Sequence, residues 1–113
     1  MTRAELIERT RRLIAEGERL AGNPDPGLAG LRVWLQLSDE LLSEAWGPMD
    51  RYHLSWLQVS RPHEVVRGRP MTPAEEGPYV REVATAKTAV LRMSLEAADR
   101  RQMPFVGETL RSS

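Results

Sequence analysis

The sequence predicts an all-α fold: a small up-down bundle of three long helices plus one short helix, with a long proline-rich loop before the last helix. Two observations predict it. Three long stretches place apolar residues at i, i+3, i+4 and i+7, the spacing of one helical face. Helix-starting and helix-stopping residues bracket those stretches, and no segment makes a credible sheet.

The first helix is expected over residues 3–21. Thr2 and Glu5 have the spacing of a capping box. Leu6, Ile7, Thr10, Leu13, Ile14, Gly17, Leu20 and Ala21 then form one stripe, and Gly22 with the Asn23–Gly27 turn ends it. The second helix is expected over 27–46, with Leu28, Leu31, Trp34, Leu35, Ser38, Leu41, Leu42, Ala45 and Trp46 on one broad face. Val33 and Leu37 widen that arc past half the wheel, so this helix should be central and have neighbours on two sides. Gly47-Pro48 stops it.

Residues 49–59 read as a short helix, because a strand would send Trp56 and Leu57 to opposite faces. As a helix, Met49, Tyr52, Trp56, Leu57 and Val59 share one side with His53, and Pro48 or Met49 lies near the first turn. Residues 60–77 carry Pro62, Pro70, Pro73, Gly68 and Gly77 and are expected to be loop, with Gly77-Pro78 interrupting any turn begun at Thr72. The last helix should run over 78–101 on Val80, Val83, Ala84, Val90, Leu91, Met93, Ala97 and Ala98. Pro104 ends it. Residues 1–102 thus form the expected domain, and 103–113 a C-terminal tail.

At 113 residues and 12.8 kDa the chain has room for one domain with a modest core. Sixteen basic and sixteen acidic residues cancel. That balance argues against a binder driven by bulk charge, whether to nucleic acid or to membrane. There is no cysteine, which excludes disulfides and thiolate chemistry and fits a reducing, cytoplasmic setting. No apolar run has the length of a membrane span, and Met1–Leu6 lacks the apolar stretch of a signal peptide.

Catalytic motifs fail one after another. His63-Glu64-Val65-Val66-Arg67 begins as a zinc-peptidase signature but ends on arginine where the second ligand belongs. Asp50-x-x-His53 is a near miss to one half of a di-iron site. No phosphate loop and no G-x-S-x-G occur. No catalytic residue, metal or cofactor is therefore expected, and the chain reads as a non-catalytic interaction or scaffolding module.

Two polar residues lie on apolar faces, His53 in the short helix and Lys87, the sole lysine, near the middle of the last helix's arc. Their plain reading is a hydrogen-bonded core histidine and a snorkelling or paired lysine. For a protein partner or a second copy, with a dimer favoured, the candidate surface is Val33 and Leu37 together with Phe105, Val106 and Leu110 of the tail. An alternative is a small nucleic-acid-contacting subunit using Arg51, Arg61, Arg67 and Arg69.

The run Leu31-x-x-Trp34, Leu41-Leu42, Trp46-Gly47-Pro48-x-Asp50-x-Tyr52-x-x-x-Trp56, followed by an alanine-rich helix, resembles small helical modules of bacterial defence and toxin proteins in or near the HEPN superfamily. The ribonucleases of that superfamily use an arginine five to seven positions before a histidine. Those positions hold Pro48, Gly47 and Trp46 before His53, and Gln58, Leu57 and Trp56 before His63. The resemblance therefore implies a non-catalytic, dimerising or partner-binding relative. The tail segment Val106-Gly107-Glu108-Thr109-Leu110-Arg111 is similar to the targeting peptides of encapsulin cargo proteins, with one extra residue between Gly107 and Leu110. That likeness implies an encapsulated cargo as a further alternative.

Overall fold

The computed structural model describes residues 1–23, 27–60 and 68–108, and the backbone of 65–66. Four helices carry the described chain: α1 (Arg3–Gly22), α2 (Leu28–Trp46), α3 (Arg51–Gln58) and α4 (Pro73–Asp99). All-α is the fold class.

Local chemistry sets most helix ends. Thr2 accepts the Glu5 N–H at 3.1 Å and starts α1. Asp50 caps α3, its Oδ1 2.8 Å from the Arg51 nitrogen. This start is later than expected. Met49 lies outside the helix at φ 62°, 61% exposed, while Tyr52, His53 and Trp56 are buried. A carboxylate cap at Asp50 is a stronger start signal than the proline at 48.

The largest departure lies before the last helix, where the expected loop is partly structured. Val65–Val66 pairs antiparallel with Arg69–Pro70 in a minimal hairpin. Gly68 turns it at φ 78°, a conformation that suits a residue with no Cβ. Helix α4 then starts at Pro73, and Gly77-Pro78 does not interrupt it. The reason is the cap. Glu75 accepts the Thr72 N–H at 2.9 Å and an Arg69 N–H at 2.7 Å, which anchors the first turn. Pro78 then forfeits the bond to the carbonyl four residues back and crowds that carbonyl, a local cost beside the anchored first turn.

Helix α1 packs chiefly on α4 and α2, and α3 on α2 and α4. Contacts along α1 and α4 run in opposite senses: Arg3 donates to the Ala98 carbonyl at 2.8 Å, and Arg92 meets Glu18 at 2.6 Å. On α2, Trp34 Nε1 donates to the Leu13 carbonyl at 2.8 Å and Glu44 pairs with Arg9 at 3.5 Å. Short α3 packs on both α2 and α4, its Tyr52 ring 4.8 Å from Trp46. At the α1–α4 crossing Gly17 lets Thr88 and Trp34 come close. A Cβ there would stand 2.0 Å from Thr88 Oγ1 and 2.8 Å from Trp34 Cζ2.

Residues 103–108 do not project as a tail. Phe105 is buried, tilted against Trp46 with ring centroids 5.9 Å apart and lying 5.3 Å from the Arg3 guanidinium. Gly107 donates to the Ala45 carbonyl at 3.0 Å, and its own carbonyl accepts from the Met1 amine at 2.9 Å. Arg3 also bonds the Met103 carbonyl and pairs with Glu108 at 3.1 Å.

Candidate functional site

Two places carry chemistry that the fold itself does not obviously require. The first is a polar cluster inside the helices. Asp39 of α2 contacts His53 Nε2 of α3, and the other ring nitrogen, Nδ1, accepts the Met49 N–H at 2.9 Å. A backbone N–H can only donate, so Nδ1 bears no proton and Nε2 carries the hydrogen that it gives to Asp39. The His53 ring stacks on Trp56, 14° from parallel.

Lys87 of α4 completes the cluster. It is fully buried, donates to the Trp56 carbonyl and holds Nζ 4.1 Å from the centre of the Trp56 ring. Burial pushes the ammonium down to about 8, and the negative charge of Asp39 opposes the fall. Lys87 makes no ion pair among the described residues. Trp56 Nε1 is buried with no hydrogen-bond partner among the described residues, whereas Trp34 and Trp46 satisfy theirs through the Leu13 carbonyl and Ser94 Oγ. The cluster offers no metal site. Among the described residues no three metal-ligating side chains come together.

The second place is the seam between α1 and α2. Val33 and Leu37 stand 59% and 49% exposed along it, four residues apart on one face of α2. Beside them lie Gly30 and the edge of Trp34, and α1 supplies Arg12, Leu13 and Glu16. The groove continues past Leu37 to Leu41 and Arg9. Its floor is apolar and its rim is charged.

The remaining sequence candidates scatter. Phe105 is in the core and unavailable to a partner, because Trp46 and Arg3 supply a better apolar and cationic environment than water does. Val106 is 76% exposed, but it sits beside Gly47 at the far end of α2, away from Val33. Leu110 lies outside the described residues. Through Glu108 the tail does not reach Val33 and Leu37, because it docks at Ala45. Of the arginine set, Arg51 is exposed at the start of α3, and Arg69 is engaged by Glu75 and the Pro70 carbonyl. Arg61 and Arg67 lie outside the described residues.

Sequence reasoning missed Asp39, although the signal was present. It shares a helical face with Leu35 and Leu42, so it borders the buried arc of α2. Gly30, Arg12 and Glu16 carried no such signal, since only the packing of α1 on α2 brings them to one groove.

No helix among the described residues is long and apolar enough to cross a membrane. No protein-family model, no curated protein and no solved structure matches this chain.

Proposed function

We propose that this chain is a non-catalytic helical interaction or scaffolding module, an up-down bundle that offers the α1–α2 seam to a protein. One observation carries the reading: two large aliphatic side chains, Val33 and Leu37, stand in water over an apolar floor made by Leu13 and Trp34. A contiguous exposed apolar patch rimmed by charged side chains supports reading the seam as a contact surface. Support comes also from the other site. The groups best suited to proton chemistry, His53 and Lys87, are buried; Asp39 and Met49 engage both ring nitrogens of His53, and Lys87 donates to the Trp56 carbonyl. The resemblance to helical defence-system modules points the same way, to a cytoplasmic component of a bacterial multi-component system.

The loop arginines support the nucleic-acid reading less well, because Arg69 serves the cap of α4. The test is photo-crosslinking in the native cell. A benzophenone amino acid at position 37 should give discrete protein adducts that the same probe at exposed Glu96 of α4 does not give. Equal, diffuse labelling at both positions would overturn the reading.

A further inference from the structure

Helix α3 is docked against several opposing costs. Three of the four non-glycine residues with positive φ among the described residues bracket it: Met49 at 62°, Arg51 at 23° and Ser60 at 43°. Its Trp56 buries an indole N–H that has no hydrogen-bond partner among the described residues. The carbonyl and ring of the same residue cover the ammonium of Lys87 and keep it from water. Leaving α2 and α4 would relax the backbone at both ends of α3 and return both donors to solvent.

The chemistry of the polar contacts gives this release a direction. His53 Nδ1 accepts the Met49 N–H, so it must be unprotonated for the hinge at Met49 to hold. A proton added there sets two hydrogens face to face and removes the bond. Lys87 responds in the same sense. Burial under Trp56 pushes its ammonium down to about 8 from 10.5, so the proton is held more tightly once α3 has left. Asp39 of α2 opposes release, since it contacts His53 and favours the charged form of Lys87. It is half exposed, and water screens its pull. One turn from Lys87 on α4 lie Val83, Ala84, Val90 and Leu91, none of them ionisable. The buried residues of α1 and α2 are not ionisable either, and Asp50 and Arg51 at the start of α3 are exposed.

We infer that α3 is an acid-released latch: as pH falls it undocks as a unit from α2 and α4, while α1 keeps its packing on both. Opening binds protons, so the open population grows in the acid direction. It uncovers Lys87 and the face of Trp46 on which Tyr52 packs. The latch is separate from the α1–α2 seam, and neither reading depends on the other.

Amide hydrogen exchange of the full chain at pH 9, 7 and 5 tests it, with each rate corrected for the intrinsic pH dependence of exchange. The readout is Leu54 and Val59, whose N–H groups bond the Asp50 and Ser55 carbonyls. Their opening constant should rise about tenfold from pH 9 to 7 through Lys87. It should rise roughly threefold or more again from pH 7 to 5, where imidazoles take up a proton. Leu13 of α1 and Leu91 of α4 should stay roughly a hundredfold better protected throughout. Lys87→Met should abolish the first rise and keep the second. His53→Asn keeps an acceptor oxygen near the place of Nδ1 and does not titrate, so it should abolish the second rise and keep the first. The absence of either rise in the parent, or equal protection of α3 and its two neighbours, overturns the inference. So does a first rise retained by Lys87→Met or a second retained by His53→Asn. If His53→Asn does not fold, the parent and Lys87→Met decide the outcome alone.

Discussion

Replacing Lys87 with methionine isolates the strangest group in the core. Lys87 titrates at about 8 in the fold, against an ordinary value of 10.5. Its charged form is therefore disfavoured by folding, by about 3 kcal/mol at one pKa unit per 1.36 kcal/mol. The sign follows from proton counts. Between about pH 8 and 10.5 the unfolded chain holds the proton and the folded one has released it, so stability rises with pH. Below that window both states are protonated and the whole penalty is present. Integrated from pH 7 to 9, the gain is about 1.3 kcal/mol.

Methionine fills a similar volume and removes this pH dependence. At pH 7 it also relieves that penalty, which is already net of the ammonium's bond to the Trp56 carbonyl and its contact with the Trp56 ring, and it gives up only the bond a neutral amine would keep, worth about 1 kcal/mol. Relief outweighs loss. Lys87→Met should exceed the parent by about 2 kcal/mol at pH 7 and lose about 1.3 kcal/mol of that lead by pH 9. Urea unfolding followed by tryptophan fluorescence reads this directly. With an m-value near 1.5 kcal/mol/M the gap between the two midpoints should narrow by roughly 0.9 M. Parallel curves for the two proteins from pH 7 to 9 would show that the ammonium is not desolvated, and the reasoning would fail.

Gly17→Ala should cost about 2–3 kcal/mol in thermal or urea unfolding, since its Cβ must displace Thr88 and Trp34 at the α1–α4 crossing. A neutral result would mean the helices stand farther apart there. Gly107→Ala places a Cβ 2.3 Å from the Glu44 carbonyl oxygen, so the 103–108 segment should lift off, with a lower melting temperature and faster amide exchange at residue 107. Unchanged exchange would show that the segment is held some other way. Arg69 and Thr72 hold the Glu75 carboxyl down at about 2, so its contribution is complete above the ordinary carboxylate range and is lost as pH falls through about 2. Glu75→Gln should loosen the Glu75–Gly77 amides already at pH 7, whereas the parent should keep them protected at pH 4. Equal exchange in the two proteins would refute the cap.

Much of this was legible in the residues. The stripes of α1 and α2 named their buried faces because a helix repeats every 3.6 residues and few of those positions had a competing use. The N-terminal part of α4 was not legible. Gly77-Pro78 is a genuine local stop signal, and it is outweighed by Arg69, which reaches Glu75 only after the hairpin at Gly68 has turned the chain. The tail misled for a related reason. Phe105 looks like a spare apolar group until Trp46 and Arg3 are brought to it from the other end of the sequence. As for the seam, Val33 and Leu37 stood out as surplus on the wheel of α2, but the groove they share with Gly30, Arg12 and Glu16 belongs to the packed pair of helices.

The pairing of α1 with α4 also has a consequence for how the chain is born. Ribosomes add roughly 5–20 residues per second. Helix α1 ends at Gly22 and α4 at Asp99, so the first helix waits roughly 4–15 seconds for its main partner. During that time α2 can shield one flank of α1, and the flank meant for α4, around Gly17, stays wet. A crowded polysome holds many nascent chains at this stage, each with an unfilled slot shaped for an α4. Until α4 arrives, that flank is the apolar surface on which the growing chain depends most for protection.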